Sequence, residues 1–249
     1  MKYNYEYEVK YQEVDGRKKL RLFNLENYLL EVAGTVADDL GFGIAVLHPR
    51  GLTWILTRMS VEMYELPTHC EKIRIETWIE SCAHMLSTRD FRIYKPNPDP
   101  SLKGREEEWV LIGQCKSVWA VLDLEKREIV NVFDDPIFEG CVDGEVIDMQ
   151  RVRMTTIPEP TGCAPHKVVY SDIDYNGHCN SCRYLQAMTD AYLPDYYGKR
   201  VRFDINYSKE AMFGETLQTY YLVTEEGVQY QMKNEAGDTS CSAKITLNC

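Results

Sequence analysis

The stretch that decides the fold runs from Asn24 to Gly41 and reads NLENYLLEVAGTVADDLG. Leu25, Tyr28, Leu29, Val32, Ala33, Val36 and Leu40 recur at the i, i+3, i+4 spacing of an amphipathic helix, with Asn24 placed to cap it and Gly41 to stop it. One face of that helix has to be buried. Beyond it the period changes to that of strands. Ile55, Thr57, Met59, Val61 and Met63 alternate with Arg58, Ser60 and Glu62, and Ile73, Ile75, Thr77 and Ile79 alternate with Lys72, Arg74 and Glu76. Further strands fit Met85 to Tyr94 and Val110 to Leu124. The proline-rich KPNPDPSLKGREEE between them, Lys95 to Glu108, has the composition of an exposed hairpin tip.

The second half repeats this order. Asn180 or Ser181 is placed to cap a helix whose face is Tyr184, Leu185, Met188, Ala191 and Tyr192 and which ends at Pro194. Strands then fit Arg202 to Tyr207, Thr216 to Thr224, Val228 to Lys233 and Thr239 to Leu247. Pairing Tyr28-Leu29 with Tyr184-Leu185 gives an offset of 156 (184 − 28), and pairing Val61 and Glu71 with Ile205 and Glu215 gives 144 (205 − 61). The difference is the longer helix-to-strand loop of the first half, around GFGIAVLHPRG. These signals divide the chain into 1–133, a linker over 134–165 rich in Pro, Gly and acids that holds a short helix or turn, and 166–249. A long helix followed by an antiparallel sheet that must cover its apolar face is a helix wrapped in a sheet. The fold class is α+β, with two tandem copies joined edge to edge as an internal pseudo-dimer. A single α+β domain with a fortuitous repeat is the alternative.

Composition excludes several functions. A chain of 249 residues with net charge −11 lacks the basic face that a nucleic acid needs, so any acidic partner has to dock on a local basic patch. No apolar run approaches the ~18 to 20 residues of a membrane span, and the opening MKYNYEYEVKYQEV alternates like a strand and is not a signal peptide. Nine cysteines, an odd number scattered through strand-like and loop segments, read as thiols of a reducing compartment and so as a cytoplasmic protein.

The chemistry concentrates in Ser171 to Tyr184, SDIDYNGHCNSCRY. As a metal site, His178, Cys179 and Cys182 would need help from Cys163 and His166, and one CxxC without a second pair is a weak zinc signal. As a cysteine nucleophile, Cys179 adjoins His178, but consecutive side chains diverge and are poorly placed for proton transfer. Activated water is the third reading. A helix starting near Asn180 brings unpaired backbone N–H groups and about half a positive charge to the loop, and one such donor is typically worth about 10² to 10³ in rate. Asp174 and Asn176 could also be plain turn residues around Gly177, and a lone histidine before a helix could be structural.

The run Asp172-Ile173-Asp174-Tyr175-Asn176-Gly177-His178-Cys179-Asn180, followed by Tyr184, resembles the SDxDxNxHxN…Y signature of the acyl-ACP thioesterases. WILTRMSVEMYELPTHCEKIRIETWIES, GQCKSVWAVLDLEKREIVNV and FDINYSKEAMFGETL resemble, in the same order, that family's first-half strand pair, its later first-half strand and the segment with its catalytic glutamate. The resemblance implies two tandem hotdog units and a cytoplasmic thiolester hydrolase, without cofactor or metal, that ends fatty-acid synthesis. The absence of the plant members' transit peptide points to a bacterial member. It assigns Asp174, Asn176, His178 and Glu210 to the site, with Glu210 the preferred base, Asn176 and His178 holding thioester and water, and Asp174 orienting its neighbours. Where an older picture of the family put a cysteine after the glutamate, this chain has Ala211. By the offsets above, Asp174, Asn176, His178 and Glu210 fall on Lys18, Leu20, Leu22 and Leu66, so the first half lacks all four. The first unit is then expected to hold the acyl chain, with Leu29, Val32, Ala33, Val36, Met59, Val61 and Met63 lining it.

The implied partner is acyl carrier protein bearing a 4′-phosphopantetheine-linked acyl chain, which is acidic, so a basic surface is sought at Lys199, Arg200 and Arg202 or at Lys167, Arg151 and Arg153. An acyl-CoA thioesterase, and a non-catalytic hotdog protein that binds or senses acyl groups, remain the alternatives. The sequence leaves room for a homodimer.

Overall fold

The computed structural model describes residues 1–97 and 108–248. Most of the expected hairpin tip lies outside them. The chain forms two compact units, Met1–Leu56 with Met63–Met149, and Thr57–Glu62 with Gln150–Cys249.

In the first unit the order is β1 (Tyr3–Glu8), α1 (Leu22–Asp39), the short α2 (Ile44–Leu47), β2 (Leu52–Met63), β3 (Lys72–Ala83), β4 (Leu86–Pro96), β5 (Trp109–Asp123) and β6 (Glu128–Val130). The sheet runs β1-β3-β4-β5-β2, with β6 on β5. The pairs β1·β3, β3·β4 and β4·β5 are antiparallel. Leu25, Leu29, Val32 and Val36 of α1 are fully buried, as are Ile73, Ile75, Phe91, Ile93 and Cys115 of the sheet. Each such aliphatic side chain contributes about 1.5–3 kcal/mol, which is why the helix is held inside the sheet. Phe42, Trp54, Phe133 and Phe138 pack ring on ring beside Ala37 and Ile79.

The expected cap is corrected. α1 begins at Leu22, Arg21 occupies the N-cap without a side-chain hydrogen bond, and the Asn24 Nδ2 donates to Glu13 O at 2.8 Å. Leu22 is 2% exposed and extends the apolar face one turn upstream, so burial sets the start. Gly41 does end the helix, with φ +82° just past Leu40, a conformation that costs a glycine little.

The second unit runs β7 (Gly162–Lys167), α3 (Ser181–Ala191), β8 (Val201–Tyr207), β9 (Thr216–Thr224), β10 (Gly227–Lys233) and β11 (Thr239–Leu247). Its sheet order is β2-β8-β11-β10-β9-β7, the β2 residues being Thr57–Glu62, so Met59 and Val61 belong to this unit and Met63 to the first. α3 lies against β7, β9 and β10. β7 begins within the segment read as linker, because Gly162, Ala164 and Pro165 give it no large apolar alternation to read. β6 is three residues long and left no sequence signal. A 3₁₀ turn at Pro136–Phe138 is the short helix expected in the linker. Among the described residues, no helix is long and apolar enough to cross a membrane.

Candidate active site

The site is built from a five-residue turn that leads into α3. Ile173 and Cys179 form an antiparallel bridge, and within it the Asp174 N–H donates to His178 O at 2.8 Å and the Gly177 N–H to Asp174 O at 3.0 Å. Gly177 takes φ +83°, which the tight return requires. The Asp174 carboxylate closes the turn from inside: its Oδ1 accepts from the Asn176 N–H at 2.8 Å and from the His178 N–H at 3.2 Å. Asn176 lies within the turn and His178 on its returning limb, one residue past Gly177.

That limb pairs with the chain entering β9. His178 bridges Met212, and the Cys179 N–H donates to Ala211 O at 2.8 Å. The register brings Glu210 to His178, with Nε2 and Oε2 3.5 Å apart and both side chains half-buried. Asn180 then caps α3 as expected, its Oδ1 accepting from the Cys182 N–H at 3.0 Å. With the Arg183 N–H committed to Asn180 O, the Ser181 N–H is the first-turn donor without a partner among the described residues. It lies at the positive end of the helix dipole, three residues beyond His178.

Two residues of this region serve the site in ways the sequence did not reveal. Tyr184, read as part of the helix face and of the family signature but given no role, is 4% exposed and its hydroxyl accepts from the Ala211 N–H at 3.0 Å, fixing the backbone next to Glu210. Asp172 is buried, with its Oδ2 accepting from the Val169 N–H at 3.0 Å and lying 3.1 Å from His166 Nε2. The cysteines stand apart from the chemistry. Burial, with Asp172 and Asp174 nearby, pushes the Cys179 thiol up to about 12, so it is protonated at neutral pH. Cys182 is buried, Cys163 is exposed and His166 faces Asp172. Among the described residues, no three His, Cys, Asp or Glu side chains converge on a point that could hold a metal ion.

The same turn occurs in the first unit. Asp15 Oδ1 accepts from the Arg17 N–H at 2.9 Å and the Lys19 N–H at 3.0 Å, the Asp15 N–H donates to Lys19 O at 2.9 Å, and Lys18 takes the positive φ of +63°. The structural offset is therefore 159 (174 − 15), where the aligned helices gave 156. The correction places Asp15, Arg17 and Lys19 opposite Asp174, Asn176 and His178. The first half thus lacks three of the four residues and keeps the aspartate. The bridge of Lys19 with Thr68 matches that of His178 with Met212, keeping Leu66 opposite Glu210 at 144 (212 − 68). Lys19 Nζ donates to Leu66 O at 2.8 Å, a backbone contact where the second unit has an imidazole facing a carboxylate.

Comparison with known proteins agrees over both units. A family model described as the acyl-ACP thioesterase N-terminal domain matches residues 1–139, and one described as the acyl-ACP thioesterase C-terminal domain matches 159–248. The chloroplastic oleoyl-acyl carrier protein thioesterase of Coriandrum sativum is 25% identical over 205 residues, covering 74% of this chain and 52% of that protein. The chloroplastic palmitoyl-acyl carrier protein thioesterase of Arabidopsis thaliana is 22% identical over 258 residues, covering 97% and 59%. The chain thus spans little more than half the length of these curated relatives. The crystal structure of an acyl-ACP thioesterase from Bacteroides thetaiotaomicron VPI-5482 matches with TM-score 0.84 and 30% identity, over 99% of this chain and 97% of that one. The 12:0-ACP thioesterase from Umbellularia californica shares the fold with TM-score 0.80 and 17% identity, over 99% and 96%. The fold is that of two tandem hotdog units, α+β in class.

Proposed function

Because the chain belongs to the acyl-ACP thioesterase family, we propose that it hydrolyses the thioester of an acyl chain carried on acyl carrier protein, releasing free fatty acid and ending chain extension. The observation that carries this reading is the His178–Glu210 contact at 3.5 Å beside the start of α3, absent from the matching turn of the first unit. In the reaction, Glu210 takes a proton from a water whose oxygen attacks the thioester carbonyl. The Asn176 amide and the Ser181 N–H are the donors for the oxyanion that forms, and His178 fixes the Glu210 carboxylate and the water. Collapse of the tetrahedral intermediate breaks the carbon–sulfur bond, and the proton passes to the departing pantetheine sulfur. Asp174 acts through the turn it closes.

The residues proposed to hold the chain lie on α1 and β2, Met59 and Val61 falling in the second unit and the rest in the first. Leu29, Val32, Ala33 and Val36 of α1 and Met59, Val61 and Met63 of β2 are buried apolar residues, and a tail gains about 0.8 kcal/mol for each methylene it buries. For the carrier protein, Lys167, Arg151, Arg153 and Arg200 are exposed, whereas Lys199 and Arg202 are half-buried. The exposed four are the preferred docking cations, and the cytoplasm is the compartment proposed for the protein. The test is thiol release from acyl-ACP, and from acyl-CoA of equal length, by the parent and by Glu210→Gln. A positioned base contributes typically about 10² to 10⁴, so the variant should lose that much while its unfolding midpoint stays within a degree or two. Turnover by Glu210→Gln at the parent rate removes Glu210 from the mechanism. No hydrolysis of either substrate by the parent would favour a protein that only binds acyl groups.

A further inference from the structure

Away from the site, the first unit holds two cysteines in contact beside a buried arginine. Cys82 ends β3, and Cys141 lies just past the Pro136–Phe138 turn on a segment that pairs back onto β3 through the Ile79–Val142 bridge. Both belong to one packed cluster with Ala37, Phe42, Ile79 and Phe138. Cys141 is 6% exposed and hydrogen-bonds with Cys82, which is part-exposed and lies 3.5 Å from Ser87 Oγ. Neither is in a disulfide.

The arginine is the second, independent observation. Arg89 on β4 is 5% exposed, its guanidinium's one hydrogen bond among the described residues is to Thr77 Oγ1 at 3.5 Å, and no carboxylate among them forms an ion pair with it. A buried guanidinium without a counter-charge costs several kcal/mol, so such a site demands an anion. The groups around it are Cys82, Cys141, Tyr3 and Tyr5, the last donating to Asp39 at 2.9 Å. Of these only a thiol ionises near neutral pH.

We propose that Cys82 and Cys141 are a redox pair, Cys82 being the peroxide-reactive thiolate next to Arg89 and Cys141 the resolving thiol. The electrostatics agree: the hydrogen bond from Cys141, then that with Ser87 and the charge of Arg89, lower the Cys82 thiol to about 7 against the opposing effect of burial, while Cys141 is pushed up and keeps its proton. In the first step the Cys82 sulfur attacks a peroxide oxygen, a sulfur–oxygen bond forms, the oxygen–oxygen bond breaks, and the departing hydroxide is protonated to water. In the second, the Cys141 sulfur attacks the Cys82 sulfenic sulfur, the disulfide forms, and water leaves with the Cys141 proton. Two thiols are oxidised by two electrons and one peroxide is reduced to water. The bond ties the Cys141 segment to the β3–β4 hairpin, and a dithiol restores both thiols.

The test uses the full reduced chain, hydrogen peroxide as oxidant, N-ethylmaleimide to block remaining thiols, and peptide mass mapping. The expected result is a Cys82–Cys141 cross-linked peptide, about 2 Da lighter than the two reduced peptides together, reversed by dithiothreitol. In Cys141→Ser the sulfenic acid on Cys82 should persist and be trapped by dimedone. Oxidation confined to the exposed Cys70 and Cys163, with Cys82 and Cys141 both labelled by maleimide, overturns the proposal. So does a Cys141→Ser protein that folds like the parent and yields no dimedone adduct on Cys82.

Discussion

The paired turns at Asp15 and Asp174 allow structure and chemistry to be separated at one residue. Asp174→Ala removes an acceptor that takes the Asn176 and His178 N–H groups at 2.8 and 3.2 Å. Asp15→Ala removes one that takes the Arg17 and Lys19 N–H groups at 2.9 and 3.0 Å. Hydrogen bonds to a charged group contribute about 1.5–3 kcal/mol each when well shielded, and both aspartates are half-exposed, so about 2–3 kcal/mol for each pair is expected. At about 2–4 °C per kcal/mol for a chain of this size, each variant should lose roughly 5–10 °C in Tm.

The rates should then divide. Loosening the Asp174 turn frees the backbone of Asn176 and His178, and a displacement near 1 Å costs on the order of 10² in rate, whereas Asp15→Ala leaves the parent rate at any temperature where it is folded. Asp174→Asn keeps an oxygen in the accepting position and should recover most of both losses. Thermal unfolding followed by circular dichroism and thiol release from acyl-ACP supply the two readings. If Asp174→Asn matches the parent in Tm yet is as inactive as Asp174→Ala, the carboxylate charge takes part in the chemistry and its role is not positional. If Asp15→Ala loses activity as Asp174→Ala does, the separation of the two turns is wrong.

Cys179→Ser should retain most activity, and iodoacetamide at pH 7 should leave Cys179 unlabelled in the folded parent, because its thiol is raised to about 12; loss of rate in this variant with unchanged Tm would restore a nucleophilic cysteine. Tyr184→Phe leaves the buried Ala211 N–H without its acceptor and should cost about 1–3 kcal/mol in urea unfolding, with a fall in kcat because Ala211 adjoins Glu210; an unchanged kcat would limit Tyr184 to packing. Ala33→Phe, at a buried position on α1, should shift the rate profile across a ladder of acyl-ACP lengths toward shorter chains; a uniform loss would mean folding damage, and an unchanged profile a chamber elsewhere.

Most elements were legible because burial in this fold is regular. The helix faces around Leu29 and Leu185 and the alternation at Met59, Val61 and Met63 come directly from one buried face per element. Where burial is irregular the signal fails. In β2 the buried positions run Thr53, Leu56, Met59, so the strand changes phase before it settles into alternation, and Ile55 and Thr57 are not in the core. β7 packs through small residues and a proline, and β6 is too short to show a period.

The internal repeat shows how periodicity alone can misplace a register. Helices aligned by their apolar faces can slide by three residues with little loss, since 3.6 residues per turn keeps i and i+3 on one side. An offset of 156 in place of 159 sets Tyr184, Leu185, Met188 and Tyr192 on Tyr28, Leu29, Val32 and Val36, and only Ala191 on a polar residue, Thr35, while moving each loop residue. That slide hid Asp15 and made all four polar residues look peculiar to one half. The hydrogen bonds of the turn do not slide: an aspartate accepting two N–H groups, two and four residues on, fixes the register within a single residue. With it fixed, the comparison of halves sharpens. A residue present in both turns answers to the fold, so Asp174 positions its neighbours. Arg17, Lys19 and Leu66 stand where Asn176, His178 and Glu210 do; Leu66 has no group to take a proton from water, and Lys19 is held on a backbone carbonyl. The sequence marked His178 and Asn176 by their spacing around Gly177, but Glu210 stands alone in YSKEAMFG and only the resemblance picked it out. Its approach to His178 depends on the pairing of His178 with Met212 across the entry to β9, a contact between segments more than thirty residues apart that no local pattern encodes.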